Sequence, residues 1–305
     1  MISLSDDFTH RILNSFGEDG RLWLQSLPSI LEQLSSTWDV KLMPPFKEMS
    51  FNYVAPAIQS DGSEVVLKVG VPRTELVTEI AALKAFNGNG AVTLYKADPE
   101  MGALLLERLR PGRPLFNEDD DEVATSVASE VIRQLQVSSS NLEVFSTVGD
   151  WFRGFKRLRD EFSGETGPFP SELIDKAELI SHDLLASMET ITLLHGDLHH
   201  WNILSSEREP WLAIDPKGVI GEPEYETGAW IRNPFPNILE MSNPDRMIAR
   251  RIDQFSSELG FDQQRIYGWG FSQAVLASCW SYEEKDEDWG NWLAVAELII
   301  KSKEN

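Results

Sequence analysis

Apolar residues in the first part of the chain recur first at helical and then at strand-like intervals. Residues 6–36 place leucine and tryptophan side chains near helical spacing, and Pro28 is expected to break or restart that helix. Residues 51–70, FNYVAPAIQSDGSEVVLKVG, alternate between apolar and polar positions on either side of Asp61 and Gly62. An Asp-Gly pair between alternating segments is typical of a β-hairpin, so two antiparallel strands are expected here.

A helix and two more strands complete this pattern. Residues 74–88 have a helical period, with Thr74 as the expected N-cap and Gly88 or Gly90 as the stop. Residues 91–113 then predict two further strands. The order strand, strand, helix, strand, strand predicts an antiparallel sheet that carries one helix.

The remainder of the chain is predicted to be mainly helical. Three short apolar runs, ITLLHG, NILSS and WLAIDP, interrupt the helices and are typical of buried strands. Because 305 residues suffice for two lobes of about 100 to 200 residues, we predict an α+β protein with two lobes. The small lobe, with an added N-terminal helical segment, is expected at residues 1–110, and the larger helical lobe at residues 111–305. The expected helices of the large lobe cover residues 120–137, 148–163, 170–189, 242–259, 262–281 and 288–302.

The acidic composition narrows the range of partners. The chain carries 49 acidic and 27 basic residues, a formal net charge of -22. Such a surface repels phosphate backbones and anionic membranes, so we expect a cationic small molecule as partner rather than nucleic acid or a membrane. Cys279 is the single cysteine, and the sequence shows neither a signal peptide nor a membrane span, so a cytoplasmic location is expected.

Chemically active residues are densest in LLHGDLHHWNILSSEREPWLAIDPKG, residues 193–218. Phosphoryl transfer to an alcohol needs a carboxylate near the acceptor hydroxyl and oxygen ligands for Mg²⁺. Asp197 is the candidate for the first role, and Asn202 and Asp215 are candidates for the second. His195 is expected to hold the loop by hydrogen bonds.

This stretch has two alternative interpretations. Zinc could be bound by His195, His199 and His200, but Gly196 disfavours the helix that such spacing needs, and no glutamate follows the first histidine as in H-E-x-x-H. The polar residues could also merely satisfy a turn, although that leaves the Asp-Asn-Asp spacing between buried strands unexplained.

A lysine in the predicted sheet suggests a phosphate contact. Strand alternation places Val66 and Lys68 on the same face, so that the lysine points inward, which is costly unless it is paired. Glu79 on the following helix is the expected partner. A Lys-Glu ion pair of this kind positions the phosphates of ATP in kinases.

The remaining nucleotide contacts are expected from backbone groups. Residues 105–109 lie between the predicted lobes, where Glu107 and Leu109 are candidates to hydrogen-bond adenine. No glycine-rich phosphate loop is present, since KEMSFNYVAP, before and into the first strand, contains no glycine. Ser50 and Asn52 are therefore the candidates for a phosphate-covering loop.

Acidic and aromatic residues elsewhere suit a cationic acceptor. Glu226 is favoured instead as a structural residue that braces the catalytic loop, near a helix that is expected to begin at Glu224. The candidate acceptor-binding residues are His200, Trp201, Glu222, Trp280, Glu283 and Glu284.

Three segments, LLHGDLHHWNIL, WLAIDPKGVIGEPEYE and RNP, resemble the aminoglycoside/hydroxyurea antibiotic resistance kinase family, which includes streptomycin 6-kinases. The resemblance covers roughly residues 50–300 and implies a bilobal protein-kinase-like fold, ATP as donor, Mg²⁺ as cofactor and O-phosphorylation of a small antibiotic. By position it implies that Asp197 is the base and that Asn202 and Asp215 bind metal. It also implies that Lys68 binds phosphate and Glu79 pairs with it.

The chain departs from the family pattern at two positions. Family members usually have aspartate where this chain has Glu226, and a small residue where it has Trp201. These departures affect the bracing of the loop and the shape of the acceptor pocket. The alternatives to an antibiotic kinase are a kinase for a sugar or amino alcohol and a pseudokinase that only binds a ligand. A protein kinase is disfavoured because DPKG runs directly into a turn without an activation segment.

Overall fold

The computed structural model describes residues 4–136 and 142–303 and divides into two compact units. The first unit contains Met1–Gly88 and Val92–Gly112. The second contains Asn89–Ala91 and Arg113–Asn305. Within the described ranges, no helix combines the length and the apolar character needed to cross a membrane.

The first unit is built on a five-stranded antiparallel sheet of order β1-β2-β3-β5-β4. The predicted hairpin is confirmed: the amide of Gly62 donates to the carbonyl of Gln59, and Gly62 has a φ of +86°, which favours glycine. The second predicted strand pair is also confirmed, whereas the three-residue strand β1 was not predicted. The strands are β1 (Val40–Leu42), β2 (Tyr53–Gln59), β3 (Glu64–Val69), β4 (Leu94–Asp98) and β5 (Ala103–Glu107).

Helix α1 (Asp6–Trp38) covers the region in which a helix was predicted, but its irregularity lies elsewhere. The backbone leaves helical geometry at Gly17, with a φ of 52°, and not at Pro28, which lies inside the helix. The expected break at Pro28 is therefore wrong. Buried Leu27 and Leu31 pack into the apolar core on either side of this proline, and their burial offsets the hydrogen bond that proline cannot donate.

Helix α2 (Thr74–Phe86) begins at the residue that the sequence suggested for its cap, so the cap lies one residue earlier. The N-cap is Arg73, which makes no side-chain capping bond, so the assignment of Thr74 as N-cap is wrong. At the other end, Asn87 adopts the left-handed conformation and Gly88 follows with a φ of +81°. The helix therefore stops at the predicted glycine region by a left-handed cap.

The second unit is mainly helical, and its six predicted helices are confirmed, although residue 137 of the first lies outside the described residues. The helix expected near Glu224 is also present, as a 3-10 helix at Pro223–Glu226 that continues into the short helix α6. Helix α8 is buried along nearly its whole length, with Trp269 and Phe271 fully enclosed. The helices are α3 (Asp121–Leu135), α4 (Val148–Glu161), α5 (Ser171–Ala186), α6 (Thr227–Ile231), α7 (Pro244–Leu259), α8 (Gln263–Glu283) and α9 (Trp289–Ser302).

Two small sheets of the second unit carry the segments between helices. In one sheet, β11 pairs with β8 in antiparallel fashion and with β7 in parallel fashion. In the other, β9 pairs with β10, and the amide of Arg113 in β6 donates to the Ser205 hydroxyl of β9. The predicted strands in ITLLHG, NILSS and WLAIDP are confirmed. The strands are β6 (Pro111–Pro114), β7 (Ser146–Thr147), β8 (Thr192–Leu194), β9 (Ile203–Ser206), β10 (Trp211–Ala213) and β11 (Val219–Gly221).

Candidate active site

The loop at residues 195–202 connects β8 to β9, and its two ends are therefore fixed by different sheets. The amide of Ile214 donates to the carbonyl of Asn202, and the amide of Lys217 donates to the carbonyl of His195. These two bonds attach both ends of the loop to the segment that contains Asp215. The loop that contains Asp197 and the segment that contains Asp215 are therefore neighbours.

His195 is a structural residue of this loop, as predicted. It is fully buried, its Nε2 lies 2.8 Å from the carbonyl oxygen of Ile214, and its Nδ1 lies 3.3 Å from the amide nitrogen of Asp197. Because a carbonyl oxygen only accepts and an amide N–H only donates, Nε2 carries the proton and Nδ1 accepts. Burial lowers the pKa of His195 to about 4, so the ring is neutral near pH 7.

Glu226 braces the start of the loop, which is the role that the sequence favours for it. Its Oε2 accepts from the His195 amide at 2.6 Å, and its Oε1 accepts from the Gly196 amide at 3.0 Å. Burial raises the pKa of Glu226 to about 7, and the two amide bonds oppose that rise. The carboxylate therefore fixes two successive peptide groups immediately before Asp197.

Asp197 lies among basic side chains. Its Oδ2 is 3.7 Å from Nε2 of His199, and its Oδ1 is 3.4 Å from Nη2 of Arg232. Burial favours the protonated acid, but the positive potential of His199, Arg232 and Lys217 outweighs it, and the pKa of Asp197 lies below its usual value. The side chain of Asp197 is 25% exposed. Asp197 is thus an ionised carboxylate that a small molecule can reach.

Asn202 in the loop and Asp215 in the segment bonded to it both offer side-chain oxygen atoms. Nδ2 of Asn202 donates to the carbonyl of Asp197 at 2.9 Å, which leaves the amide oxygen Oδ1 as the atom suited to a cation. Asp215 follows β10 with a φ of 59°, a left-handed conformation that is uncommon outside glycine. An amide oxygen and a carboxylate are donors of the type that Mg²⁺ prefers, so these residues fit the predicted metal.

The histidines of the stretch do not converge on one point. Both ring nitrogens of His195 are engaged by the backbone, and His200 stacks on Trp230 with ring centroids 3.7 Å apart. In residues 4–136 and 142–303, no group of three or more His, Cys, Asp or Glu side chains is arranged to hold a metal ion. The geometry therefore gives the zinc interpretation no support.

Two of the candidate acceptor-binding residues are wrong, because the structure buries them. His200 is 4% exposed, between Trp230 and Arg251, whose Nη2 lies 3.2 Å from its Nε2. Glu222 is 3% exposed, and its carboxylate accepts from Arg265 Nε at 2.9 Å and from the indole of Trp269. Neither side chain is open to a ligand. Glu222 instead ties the turn after β11 to α8.

The other acceptor candidates occupy more open positions. Trp201 stacks on Phe116 with ring centroids 4.3 Å apart. Trp280 packs edge to face with Trp151, with ring centroids 5.9 Å apart. Glu283 pairs with Nε of Arg157 at 3.0 Å, and Glu284 is exposed. Their role in acceptor binding stays a prediction.

The first unit contains the predicted lysine-glutamate pair. Nζ of Lys68 in β3 lies 2.6 Å from Oε1 of Glu79 in α2, and the two side chains are 4% and 10% exposed. Val65, Leu67 and Val69 fill the apolar face of the strand, so alternation turns Lys68 to the opposite face. The pair is therefore a consequence of the strand register.

The other nucleotide candidates also belong to the first unit. Ser50 is exposed, and the side chain of Asn52 lies so close to Gly70 that an added Cβ there would be 2.2 Å from Oδ1. The amide of Glu107 already donates to the Thr93 carbonyl at 2.9 Å, so its N–H is not available to adenine. The prediction for Glu107 is therefore restricted to its carbonyl group. Leu109 is buried, and its role as an adenine contact stays a prediction.

Two arginines near the site were not assigned a role from the sequence. Arg232 reaches Asp197, and the fully buried Arg251 donates to the carbonyls of Trp230 and Asn233 and to the carboxylate of Asp121. A signal for Arg251 was present, because it falls on the apolar stripe of α7 with Ile248, Ile252 and Phe255. A charged residue on such a stripe indicates a buried polar network.

Comparison with known proteins gives consistent matches over most of the chain. The family model for the aminoglycoside/hydroxyurea antibiotic resistance kinase matches residues 44–285. Streptomycin 6-kinase of Streptomyces glaucescens is 29% identical over 291 residues, which cover 93% of this chain and 92% of that protein. Hydroxyurea phosphotransferase of Kitasatospora aureofaciens is 31% identical over 294 residues, 93% of this chain and 82% of that protein.

Solved structures share the fold at low sequence identity. The choline kinase LicA of Streptococcus pneumoniae, solved in complex with AMP, aligns with a TM-score of 0.63 and 15% identity and covers 90% of this chain and 98% of its own. The aminoglycoside phosphotransferase APH(4)-Ia aligns with a TM-score of 0.60 and 14% identity, covering 89% and 99%. The α+β, protein-kinase-like fold that the resemblance implied is confirmed.

Proposed function

This chain belongs to the aminoglycoside/hydroxyurea antibiotic resistance kinase family, and we propose that it transfers the γ-phosphoryl group of ATP to a hydroxyl of a small cationic antibiotic, streptomycin or a related aminoglycoside. The observation that carries the proposal is the ionised, accessible Asp197, held by a braced loop that also contains Asn202 and is hydrogen-bonded to the segment of Asp215. This arrangement supplies the groups that phosphoryl transfer to an alcohol requires.

In the proposed reaction, the acceptor hydroxyl oxygen forms a bond to the γ-phosphorus, the bond from that phosphorus to the ADP oxygen breaks, and the hydroxyl proton passes to Asp197. The carboxylate orients the hydroxyl before transfer and accepts its proton during it. Asn202 and Asp215 would hold Mg²⁺ through their side-chain oxygens, and that ion neutralises phosphate charge when it is bound. Lys68, held by Glu79, would bind a phosphate of ATP.

The charge of the protein supports a cationic acceptor. A formal net charge of -22 attracts polycations and raises their local concentration near the surface. The names of the relatives are consistent with such a substrate, since streptomycin is a cationic aminoglycoside and one relative is a streptomycin 6-kinase. Trp201, Trp280, Glu283 and Glu284 are the residues proposed to contact the acceptor.

A smaller acceptor is the second candidate. The relative described as a hydroxyurea phosphotransferase is 31% identical to this chain, slightly more than the streptomycin 6-kinase at 29%. Hydroxyurea carries a hydroxyl group but no cationic groups, so it would not exploit the acidic surface. This difference in charge separates the two acceptors experimentally.

An acceptor panel tests the proposal. Purified protein is incubated with ATP, Mg²⁺ and streptomycin, hydroxyurea, a sugar or an amino alcohol in turn, while ADP release and product mass are recorded. We expect ADP release that depends on streptomycin and a product heavier by one phosphoryl group. A response to hydroxyurea, the sugar or the amino alcohol alone would replace the antibiotic assignment. Nucleotide binding without any product would favour a pseudokinase.

A further inference from the structure

Arg232 is the charged side chain that approaches the Asp197 carboxylate most closely among the described contacts. It follows directly after α6, as the C-cap residue of that helix. Its Nη2 lies 3.4 Å from Oδ1 of Asp197, and its guanidinium carbon lies 5.2 Å from the ring centroid of Trp292. The side chain is 12% exposed. A positive charge is therefore held almost completely away from solvent beside the proposed base.

The backbone around Arg232 is rigidly fixed. Nη1 of the buried Arg251 donates to the carbonyls of Trp230 at 3.1 Å and Asn233 at 2.6 Å, one on each side of Arg232. Nδ2 of Asn233 donates to the carbonyl of Ala229 at 2.8 Å. The position of Arg232 is thus set by the buried interior of the unit and does not depend on its contact with Asp197.

An aromatic stack holds the guanidinium from the other side. Phe235 stacks on Trp292 with centroids 3.6 Å apart and an interplanar angle of 9°, and Arg232 lies within cation-π distance of the same indole. This contact restricts the side chain without using any of its hydrogen-bond donors. Because the guanidinium plane is fixed while its N–H donors stay unused by the indole, the arginine is pre-organised to bind a ligand.

The donors of Arg232 are poorly satisfied by the protein. A guanidinium has five N–H donors. In the described part of the chain, the contact with Asp197 is long at 3.4 Å, and Nε is buried without a hydrogen-bond partner. Buried donors without partners cost free energy, and phosphate oxygens are acceptors that match the fork geometry of arginine. The unused donors beside Asp197 therefore indicate a place for an anionic oxygen.

We infer that Arg232 is a catalytic residue that binds the phosphoryl group as it passes to the acceptor hydroxyl at Asp197. The inference rests on the proposed function. As the new oxygen-phosphorus bond forms and the bond to ADP breaks, the proton goes to Asp197 and negative charge is distributed over the phosphoryl oxygens. The guanidinium stabilises that charge through donors that are fixed in advance, so no reorganisation is needed during transfer.

The competing role is purely electrostatic positioning of Asp197. In that role Arg232 would act through the carboxylate and would make no contact with phosphate. The two roles differ in one property that requires neither metal nor nucleotide, which is the affinity for the phosphorylated product compared with the unmodified acceptor. An arginine that binds phosphate increases the affinity for the phosphorylated product specifically. An arginine that only positions Asp197 changes the affinities for product and acceptor alike.

The experiment compares wild type with Arg232→Gln, Arg232→Lys and the control Arg153→Gln. Arg153 is a suitable control because it is 72% exposed and pairs only with the partly exposed Asp150 on the same helix, at 3.0 Å, among the described contacts. Turnover is measured with streptomycin and ATP. Binding of streptomycin and of its purified phosphorylated product is measured by calorimetry without ATP or Mg²⁺, and melting temperatures identify variants that do not fold.

We expect Arg232→Gln to lower kcat by about 10²–10³-fold, with little change in the acceptor KM, and to remove the preference for phosphorylated product. Arg232→Lys retains charge and should restore part of both properties, while Arg153→Gln should match wild type. Undiminished turnover or an unchanged product preference in folded Arg232→Gln would overturn the role of Arg232 but leave the proposed function intact. No product from the wild-type protein would overturn the proposed function together with this inference.

Discussion

Two buried glutamates, one in each unit, are stabilised in different ways. Glu79 in the first unit pairs with the ammonium group of Lys68, so a charge is compensated by a charge. Glu226 in the second unit accepts hydrogen bonds from the backbone amides of His195 and Gly196, so that peptide dipoles offset its negative charge. Both residues are less than one tenth exposed.

The difference matters for what each glutamate can do. A buried ion pair keeps both partners charged and holds the lysine in one place, which suits a residue that must present its charge to phosphate. A carboxylate that accepts from backbone amides fixes the backbone of the loop. This suits Glu226, because the two amides that it binds immediately precede Asp197. The second arrangement is also sensitive to pH, because burial raises the pKa of Glu226 to about 7.

Lys68→Met should cause the largest loss of stability. The substitution leaves the buried Glu79 carboxylate without its cationic partner, which we expect to lower the free energy of unfolding by about 3–5 kcal/mol and to abolish turnover. Chemical denaturation measures the first effect and ADP release the second. The matched control is Arg110→Met, since the Arg110–Glu64 pair has the same 2.6 Å separation but is about half exposed. That control should change stability by less than about 1 kcal/mol, and equal losses would contradict the importance of burial.

Glu226→Ala should have the next largest effect. It leaves the buried amides of His195 and Gly196 without an acceptor, so we expect a loss of about 2–4 kcal/mol in unfolding free energy and a marked fall in kcat. Glu226→Asp keeps a carboxylate at the position where the family usually has aspartate, and it should recover most of both quantities. If the alanine variant kept wild-type turnover, bracing by this residue would not matter for catalysis.

The pH dependence of stability should show the smallest effect. The folded-state pKa of Glu226 is raised from 4.5 to about 7, so between these values the folded protein binds more protons than the unfolded chain. The contribution of Glu226 to stability therefore decreases as pH rises through this window, by up to about 3 kcal/mol. Denaturation curves of wild type and Glu226→Gln from pH 4.5 to 8 provide the measurement. The difference between the two proteins should change across the window, and a constant difference would show that Glu226 does not titrate there.

The sheet of the first unit could be predicted because its signals are local. The Asp61-Gly62 turn and the alternation around it specify a hairpin, and the same alternation turns Lys68 away from the apolar face. The errors arose where distant packing overrode local preference. Pro28 stays helical because buried neighbours in the core support it, which no local pattern reveals.

The central residues of the site could also be predicted, because they lie within one short stretch. Asp197 and Asn202 lie in the loop between β8 and β9, and Asp215 follows β10, whose pairing with β9 returns the chain to that loop. His200 and Glu222 were assigned to the acceptor because their residue types suit it, but burial decides their role, and burial depends on helices far along the chain. Trp230 and Arg251 enclose His200, and Arg265 and Trp269 engage Glu222.

Arg232 was not predicted for the same reason. It is separated from Asp197 by 35 residues, and its orientation depends on α7 and α9 through Arg251 and Trp292. The segment RNP contributes to the family resemblance, but the sequence does not show that its arginine lies beside Asp197. The polar network around the base is thus a property of the folded unit.

The most direct test of the central claim compares Asp197→Asn with wild type in the rate of phosphoryl transfer from ATP to streptomycin. Asparagine preserves the shape of the side chain but cannot accept the hydroxyl proton, whereas nucleotide affinity should be unaffected. With ATP binding confirmed by calorimetry, we predict that the variant forms phosphorylated product at least about 10²-fold more slowly than wild type. Product formation at the wild-type rate by a folded variant that binds ATP would contradict the assignment of Asp197 as the base.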